Sequence, residues 1–594
     1  MINFIKIFRR QEFISFLILI SISIILYRCF SLQYVESKNY SIAIEKREIR
    51  KEIIKASRGS IVDRNNIILA ESILLDTLSV TNADLFLKNN GKDIQDLCVI
   101  LDKNCNELKK DIQRKRHKKQ FHIKRQLSAS TVRQINSLRL NGIIYEKEFQ
   151  RFYPRGEEMA PLIGKTNIDH VGHMCLEKSY DSFLKGVDGE RIVRKDKDGK
   201  VVENIRLVSP ARDGEKLILT IDSRLQYVAY RELKKKIEQV NAKSGSVVIL
   251  DTSNGDILAA ASYPSYDPNN KNAYTSEGER NRAIIDSIEP GSTIKPFLFA
   301  AAVDSGSVKL GETFDTSPGY IKFGKKIYKD FKDYGLLSSE GVIIKSSNVG
   351  SIKISQKLNK KTYHDLLEYL GIGEMVNIKF PSEISGKLKH FSEWSESDIR
   401  SHALGYALQV TPLQLAKAYS VIANDGLVIN PRINLKSFIQ KENKQRYKKG
   451  FIHTKNVIKQ VVEEGTGKNA FIDGYTIGGK TGTAEVFDKE YNKKKHTSLF
   501  AGITFTNPKL VIVVVINEPN TKPDQFYGAY VAAPVFKTIA SDSLRILNIS
   551  PNIVLKNNEK FSSKTENMDV TIFKNPEDKY VFWIKWYQRA KSWH

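Results

Sequence analysis

An uncharged apolar segment near the N-terminus sets the first limit on what this chain can fold into. The segment runs from Phe13 to Tyr27 and is rich in Ile, Leu and Phe. It is short for a membrane span. Arg28 can extend its charged end toward the membrane surface, however, and the residues up to Leu32 lengthen the apolar stretch toward the ~20 that a bilayer needs. The segment therefore predicts a transmembrane helix.

The charges around this segment predict its orientation. Three basic residues precede it, Lys6, Arg9 and Arg10, and positive charges are retained on the cytoplasmic side. A cleaved signal peptide is the alternative, but Arg28-Cys29-Phe30 is bulky where a small-x-small cleavage site is required. We therefore predict a cytoplasmic N-terminus over residues 1–12, an uncleaved single-pass anchor over residues 13–33 and an extracytoplasmic remainder.

The chain is large and strongly basic. Its 594 residues suggest several domains, and 41% hydrophobic residues are enough for real cores. The formal net charge is +26, from 93 basic and 67 acidic residues. Outside the cytoplasm the relevant anionic partners are lipid head groups and cell-wall polymers, so we predict no nucleic-acid partner. The densest basic run, Arg114 to Lys119, is typical of a solvated face, with partner or polymer contact as the alternative.

The tetrapeptide Ser292-Thr293-Ile294-Lys295 places a hydroxyl and an amine three residues apart. Pro290-Gly291 before it predicts a turn, and the apolar run from Phe297 to Ala302 predicts a buried helix that begins near Ser292. Residues three apart share a helix face, so Lys295 can lie beside the Ser292 hydroxyl. The free N–H groups of a helix start also favour a developing oxyanion. Alone, the pattern equally fits a capping serine with a solvated lysine.

Two further motifs follow in a fixed order. Ser346-Ser347-Asn348 has a spacing that suits a tight turn or helix start holding a hydroxyl and an amide in one cleft, with an ordinary polar turn as the alternative. The stretch Gly478 to Ala484 mixes glycines with alternating polar residues and predicts an edge strand. Such a strand can pair with an extended peptide while Lys480, Thr481 and Thr483 receive a carboxylate. Main-chain N–H groups of Ser292 and near Thr483 would then form an oxyanion hole.

The third motif also permits a nucleotide-binding interpretation. Gly474 to Thr481 fits the phosphate-loop pattern by letter. That loop leaves a strand and opens a helix, whereas Gly482 and the residues beyond it do not resemble a helix start. No acidic magnesium motif follows either, so we interpret the match as accidental.

Together the three motifs resemble the signature of penicillin-recognising serine acyltransferases. From residue 13 to about 545 the chain resembles the class B penicillin-binding proteins, and most closely their division-specific (septal) transpeptidases. Other segments that match family landmarks are Arg58 to Asn65, Arg151 to Pro154, Glu177 to Gly186, Leu219 to Asp222, Val410 to Ala416 and Ala533 to Phe536. Arg280-Asn281-Arg282, ahead of the nucleophile motif, favours the division branch over the elongation branch.

Three positions depart from the family pattern. Asn66, Cys175 and Ala407 stand where the family usually has glycine. Asparagine tolerates a left-handed backbone, but Cys175 and Ala407 adopt it only at a cost, which leaves the backbone there open. The three catalytic motifs are intact.

The resemblance implies a D-Ala-D-Ala transpeptidase that works by double displacement and uses no metal or cofactor. Lys295 would take the proton of Ser292, which attacks the penultimate D-alanine carbonyl of a peptidoglycan stem peptide. Ser346 would pass a proton to the leaving amine, and Asn348 would orient the donor. Lys480, Thr481, Gly482 and Thr483 would form the donor-binding strand. An amine of a neighbouring stem peptide would then attack the acyl-enzyme and give a 4,3 cross-link.

The same resemblance implies ligands and partners. β-Lactams would esterify the same serine, and division proteins, including a polymerising glycosyltransferase, would be partners in the inner membrane. A β-lactamase or sensor is an alternative, but the sequence has no Glu-x-x-Leu-Asn element to supply a deacylating base. A scaffold that activates the glycosyltransferase, with chemistry secondary, is another.

The landmarks and local patterns also predict the organisation of the chain. Residues 34–205 form an extended stalk, residues 206–545 the transpeptidase domain, and residues 546–594 a tail that is polar and then aromatic and basic. Within the catalytic part we predict a helix at Leu225–Val240, a hairpin of Ser246–Leu250 and Ile257–Ala260 around Asn254-Gly255, and a strand at Val511–Ile516. The expected fold class is α/β, with an antiparallel sheet flanked by helices.

Cysteines and histidines contribute little to the predicted chemistry. On one continuous helix Cys98 and Cys105 would lie about two turns apart, too far to bridge, so we predict no essential disulfide. The pairs His170 with His173 and His117 with His122 lack completing ligands, so we predict no metal site. The final stretch, Tyr580 to His594, favours a membrane interface or protein partner, with packing on the chain's own surface as the alternative.

Overall fold

The computed structural model of the chain describes residues 2–38, 48–81, 83–91, 93–118, 120–196, 201–270, 274–441, 445–488, 493–522 and 525–553. Its first helix, α1, spans Ile2–Phe30 and continues as a π-helical turn over Ser31–Val35. Within the described part of the chain, Glu12–Val35 is the one helical stretch long and apolar enough to cross a membrane. It contains the predicted anchor, residues 13–33. The predicted C-terminal tail lies outside the described residues from position 554 onward.

The N-terminal module after helix α1 contains two sheets. Its strands are β1 (Ile49–Ile54), β2 (Ile61–Val62), β3 (Ile68–Val80), β4 (Phe121–Leu127), β5 (Ile143–Phe152), β6 (Gly189–Lys195), β7 (Val201–Ser209) and β8 (Leu217–Ile218). One sheet has the order β1-β6-β7, and the other has the order β4-β3-β2-β8 with β5 also paired to β3. All pairs are antiparallel except β2 with β8.

Short helices complete this module. They are α2 (Ala83–Asn89), α3 (Asp93–Leu101), α4 (Cys105–Arg114), α5 (Ala129–Ser137), α6 (Ala160–Ile163), α7 (Cys175–Ser179) and α8 (Asp181–Leu184). Helices α2 to α5 pack with β3 and β4 around a small core that includes Leu78, Phe86, Leu97 and Ile112.

The prediction that Cys98 and Cys105 cannot be bridged is wrong, because they do not lie on one continuous helix. Helix α3 ends at Leu101, Asp102 has a φ of 50°, and Asn104 caps α4 by accepting hydrogen bonds from the backbone N–H groups of Asn106 and Glu107. The break turns the chain back on itself. The two Cα atoms therefore lie 5.5 Å apart and the sulfur atoms are joined in a disulfide.

A buried ionic cluster holds the N-terminal module together. The carboxylate of Glu177 is completely buried and accepts from Arg58 Nε at 2.7 Å and from Arg151 Nε at 2.7 Å. Arg58 also donates to Asp181 Oδ1 at 2.5 Å. A buried carboxylate is stable only when it is paired in this way. The family landmark at Arg58 thus supplies one of two cations for a single buried anion.

The C-terminal module is built on a five-stranded antiparallel sheet with the order β10-β9-β17-β16-β15. Its strands are β9 (Ser244–Asp251), β10 (Ile257–Tyr263), β15 (Ile477–Asp488), β16 (Lys493–Thr504) and β17 (Leu510–Asn517). Alternate side chains of one strand enter different cores: Val248 lies in one cluster, whereas Val247 and Ile249 lie in the other. The sheet is therefore covered by helices on both faces.

The helices of this module are α9 (Ser223–Gln239), α10 (Arg282–Ile285), α11 (Lys295–Asp304), α12 (Ser339–Ile344), α13 (Asn348–Lys357), α14 (Lys360–Tyr369), α15 (Glu396–Ala403), α16 (Pro412–Ala423), α17 (Lys448–Glu463) and α18 (Gly528–Ile546). Helices α9 and α18 cover one face of the sheet, and α11, α16 and α17 cover the other. Two short antiparallel pairs are separate from this sheet. Strand β11 (Thr313–Asp315) pairs with β14 (Leu336–Ser338), and β12 (Tyr320–Phe323) forms a hairpin with β13 (Lys326–Lys329).

These elements confirm the α/β fold class and most of the local predictions. The predicted helix is Ser223–Gln239, the hairpin strands β9 and β10 are paired, and the predicted strand at 511–516 is β17. The two modules are fastened together where α9 begins: Asp63 Oδ2 accepts from Ser223 N at 3.1 Å and from Ser223 Oγ at 2.8 Å.

The three positions that lack the family glycine keep a left-handed backbone. The φ angles are 62° at Asn66, 49° at Cys175 and 63° at Ala407. The surrounding structure therefore imposes the conformation even where the side chain disfavours it. This result answers the question that the sequence left open at Cys175 and Ala407.

Candidate active site

Ser292 lies on a tight turn that leads into the buried helix α11. Gly291–Ile294 forms a single 3-10 turn, and α11 follows from Lys295 with Pro296 in its first turn, where no intrahelical N–H is needed. Thr293 Oγ1 donates to Pro290 O at 2.6 Å, and the buried Tyr419 hydroxyl donates to Thr293 O at 2.8 Å. These bonds hold the turn from both sides. Ser292 itself stays partly exposed between buried neighbours, so a substrate can reach its hydroxyl.

Lys295 is completely buried, and its amine points at the second motif. The Nζ atom donates to Asn348 Oδ1 at 2.7 Å and to the carbonyl of Ser346 at 2.8 Å, with Ser346 Oγ at 3.5 Å. Burial lowers the pKa of Lys295 to about 7, against an opposing pull from the carboxylate of Asp330. Near neutral pH this amine is therefore available as a base, one helical turn from Ser292.

Ser346 occupies the sharp connection between helices α12 and α13. Its φ of 61° is unusual for a residue with a side chain. Ser347 caps α13 by accepting from Gly350 N at 2.9 Å, and Asn348 is the first residue of that helix. The predicted tight turn and helix start are therefore both present. The strained backbone at Ser346 turns its hydroxyl toward two lysines instead of into the helix.

Asp330 supports this second motif from the residue after strand β13. Its carboxylate accepts from Ser347 Oγ at 2.6 Å, from Val349 N at 3.0 Å and from Asn348 N. The neighbouring Lys329 carbonyl accepts from Asn348 Nδ2 at 2.7 Å. Asp330 is not predictable as a site residue from the sequence, because nothing in its local pattern distinguishes it from other acidic turn residues. Only the packing of the hairpin against α13 identifies it.

Lys480 brings the third motif to the same hydroxyl. It lies in strand β15, is completely buried, and its Nζ donates to Ser346 Oγ at 2.8 Å and to Thr481 O at 3.2 Å. Burial, and then the positive charge of Lys295, lowers the pKa of Lys480 well below its ordinary value. Two amines so close to one hydroxyl favour a neutral form for at least one of them. This arrangement makes Ser346 a bridge between the two lysines.

Strand β15 lies at the edge of the sheet, as the sequence predicts, and it packs tightly against the nucleophile turn. A Cβ atom on Gly482 would come within 2.8 Å of the Thr293 side chain and 3.0 Å of Pro290 O. Glycine at this position therefore permits the contact. Thr483 is partly exposed, and its hydroxyl accepts from Gly528 N at 3.1 Å. The strand continues to Asp488, so the segment is not a phosphate loop that opens a helix.

The hydroxyl of Thr481 has a partner that the sequence analysis did not identify. Thr466, just after helix α17, lies 3.0 Å from Thr481 Oγ1 through its own hydroxyl, and 3.5 Å from Lys480 Nζ. The pair forms a small polar platform beside the two lysines. A threonine in a glycine-rich turn carries no sequence signal for this position.

Known proteins match the chain over both modules. Residues 245–541 match the family model of the penicillin binding protein transpeptidase domain, and residues 53–219 match that of the penicillin-binding protein dimerisation domain. The chain is 36% identical over 528 residues to the probable peptidoglycan D,D-transpeptidase PenA of Neisseria gonorrhoeae, which covers 87% of this chain and 90% of the relative. It is 34% identical over 544 residues to the peptidoglycan D,D-transpeptidase FtsI of Escherichia coli K12, which covers 90% of this chain and 91% of the relative.

A solved structure matches the same architecture. Penicillin binding protein 3 of Mycobacterium tuberculosis, in complex with aztreonam, superposes with a TM-score of 0.63 and 25% identity, over 84% of this chain and 98% of that one. Sequence and fold thus agree over nearly the whole length of these proteins. The chain belongs to the class B penicillin-binding proteins of the FtsI and PenA type, and it is a peptidoglycan D,D-transpeptidase.

Proposed function

We propose that this transpeptidase cross-links septal peptidoglycan through an ester formed on Ser292. One observation carries the assignment of residues: Ser346 Oγ lies within 2.8 Å of Lys480 Nζ and 3.5 Å of Lys295 Nζ. Three segments distant in the sequence meet at this hydroxyl, and one of them carries the partly exposed Ser292. Such a convergence of nucleophile, base and proton relay is what acyl transfer requires.

In the first step Lys295 accepts the proton of Ser292 while the serine oxygen attacks the penultimate D-alanine carbonyl of the donor peptide. Its depressed pKa supports this role, because a neutral amine is needed near pH 7. The oxyanion forms between the main-chain N–H groups of Ser292 and Thr483, which the close contact between turn and strand holds together. Collapse of the intermediate breaks the peptide bond, and Ser346 delivers the proton to the departing D-alanine amine.

The donor peptide pairs with the free edge of β15. Thr481 and Thr483 contact its terminal carboxylate. The buried amine of Lys480 attracts that carboxylate from behind them, because a bound anion favours the charged form of an amine whose pKa burial has lowered. Gly482 lets the strand lie close to the nucleophile turn, which keeps the donor beside Ser292. Asn348 orients the donor backbone from the opposite side, held in place by Lys295 and by the Lys329 carbonyl.

In the second step an amine of a neighbouring stem peptide attacks the ester carbonyl and releases Ser292. The amine loses its proton along the reverse path, through Ser346 to Lys295, and Lys295 returns a proton to the Ser292 oxygen as the ester bond breaks. A β-lactam enters the first step in the same way but has no departing fragment to leave the cleft, so its ester persists. The aztreonam complex of the Mycobacterium tuberculosis relative supports this inhibition.

The proposal also includes a role in cell division and a location in the inner membrane. The match to Escherichia coli FtsI supports the division branch, and so does Arg280-Asn281-Arg282. Asn281 caps α10 and Arg282 is buried against Glu277. Helix α1 would anchor the chain in the inner membrane with the catalytic module outside, where a polymerising glycosyltransferase supplies the glycan strands. Elongation-type cross-linking and a purely scaffolding role are the alternatives that the experiment must separate.

The test combines Ser292→Ala and a matched control, Ser287→Ala, at a partly exposed loop position five residues upstream. Penicillin labelling of the purified full-length protein should be lost only in Ser292→Ala. In cells depleted of the native gene product, the control should restore septation and Ser292→Ala should leave filaments. Rounded cells instead of filaments would assign the chain to elongation, and growth restored by Ser292→Ala would establish a scaffold.

A further inference from the structure

Three potential metal ligands lie together on helix α14, outside the three catalytic motifs. His364, Asp365 and Glu368 each direct a nitrogen or oxygen atom into one small volume, with these atoms all within 4.8 Å of one another. His364 and Glu368 are four residues apart and therefore share a helix face. None of these three residues belongs to the histidine pairs apparent from the sequence, His170 with His173 and His117 with His122.

The burial of His364 distinguishes this cluster from an ordinary group of surface charges. The residue is 6% exposed, yet its Nδ1 atom has no hydrogen-bond partner in the described part of the chain. The ring packs among Phe391, Trp394 and His390, with ring centroids 5.3 to 5.7 Å away. These neighbours fix the imidazole, and Nδ1 lies 3.8 Å from Asp365 Oδ1. A buried nitrogen without a partner is costly unless something else satisfies it.

The carboxylates form the open side of the cluster. Glu368 is exposed, and Asp365 is half-buried with its other oxygen paired to Lys361 Nζ at 2.6 Å. Lys361 is itself 58% exposed and can swing away, because its long side chain has no other fixed hydrogen bond among the described residues. A cation would thus meet one fixed nitrogen, two mobile oxygens and solvent.

We propose that His364, Asp365 and Glu368 form a Zn²⁺ site in which water completes the coordination. One imidazole and two carboxylates match the mixed nitrogen and oxygen ligands that Zn²⁺ accepts at distances of about 2.0–2.2 Å. Mg²⁺ and Ca²⁺ prefer oxygen alone, so the imidazole selects against them. We expect this site to have a structural role, because α14 packs against α11, the helix that follows Ser292. Zinc binding therefore stabilises the catalytic module without contacting the reacting atoms.

The affinity of the site for Zn²⁺ is measured by competition. The full-length detergent-solubilised protein competes for the metal with a chromophoric zinc chelator. The informative variant is Glu368→Gln, because this side chain is exposed and its loss leaves the core intact. We expect Zn²⁺ affinity to fall by about tenfold or more, since even partners outside the coordination sphere are worth about 10–100-fold. Lys361→Gln should bind Zn²⁺ a few-fold more tightly, because it removes a competing cation.

A matched control is Glu107→Gln, which alters an exposed glutamate on helix α4 and should not change the affinity. Added Zn²⁺ should also raise the melting temperature of the wild type and of Glu107→Gln, but not that of Glu368→Gln. Equal Zn²⁺ affinity in the wild type and Glu368→Gln would overturn the proposal, because the metal would then be held by other histidines or by thiols. Failure of stoichiometric binding in the wild type would overturn it as well.

Discussion

Lys480 Nζ lies 2.8 Å from Ser346 Oγ, although the two residues are 134 positions apart in the chain. This contact joins the edge strand of the sheet to the turn between two helices. Ser346 is therefore the only group in the described site that contacts both Lys480 and Lys295 through its side chain. Its loss should affect proton transfer more than folding.

Ser346→Ala tests the relay. We expect the rate of acylation by a fluorescent penicillin to fall by about 10²–10⁴-fold, the usual contribution of a positioned proton-transfer group. The melting temperature should change little. Ser305→Ala, at the end of α11, is the control and should label at the wild-type rate. Normal labelling of Ser346→Ala would show that protons move by another path.

The pH dependence of acylation should report Lys295. Its pKa of about 7 means that the reactive neutral amine is lost as the pH falls below that value. The acylation rate should therefore level off above pH 7 and drop by roughly tenfold for each pH unit below it. Stopped-flow measurement of penicillin acylation between pH 5.5 and 8.5 gives the profile. A flat profile over this range would rule out a neutral Lys295 as the base.

The lowered pKa of Lys295 also makes the free energy of unfolding depend on pH, in a direction that can be predicted. Between the ordinary lysine value of 10.5 and about 7, the unfolded chain binds a proton at Lys295 that the folded chain does not. The contribution of this group to the free energy of unfolding therefore falls as the pH decreases through that range, and levels off below about 7. Lys295→Met should remove this dependence, which chemical denaturation at pH 7 and pH 9.5 would reveal.

Asp330→Asn should act on the second motif in two ways. It weakens the charge-assisted bonds to Ser347 and Val349, so we expect acylation to slow by about tenfold. It also removes an anion that raises the pKa of Lys295, so the midpoint of the pH profile should move to lower pH. Asp333→Asn, in the same loop, caps a different turn and is the control. An unchanged midpoint would contradict the electrostatic part of this account.

Glu177→Gln should destabilise the N-terminal module. The substitution leaves the buried guanidinium groups of Arg58 and Arg151 without their shared anion, at a cost of about 3–5 kcal/mol. The exposed pair of Glu190 with Lys51 provides a contrast, because Glu190→Gln should cost less than about 1 kcal/mol. Thermal unfolding of the purified protein measures both. Similar melting temperatures for the two variants would contradict the role assigned to the buried cluster.

The disulfide between Cys98 and Cys105 can be tested by counting the cysteines that react with an alkylating reagent. Under denaturing conditions without a reductant, an alkylating reagent should label two of the four cysteines, Cys29 and Cys175. After reduction it should label all four. Replacing both Cys98 and Cys105 with serine should destabilise the small helical core by about 2 kcal/mol, the loop-closure value for so short a loop. Four labelled cysteines before reduction would show that the pair is not joined.

Sequence patterns alone predict the fold class, the long apolar N-terminal helix, the main strands and the order of the three motifs. These features depend on local periodicity, turn residues and short spacings, which are read along the chain. The hairpin of β9 and β10 and the helix start at Ser292 are examples. Patterns of this kind also predicted β15 as an edge strand, because its glycines and alternating polar residues are a local property.

The packing of distant segments determines which groups meet in the site. Lys295 contacts Ser346 and Asn348, more than 50 positions away, and Asp330 reaches the second motif from a hairpin with no signature of its own. The disulfide was missed for a related reason, since the break at Asp102 depends on how α3 and α4 pack. Contacts between distant segments follow from the packing of whole elements and from burial, which also sets the pKa of Lys295. Neither is encoded in any single stretch of sequence.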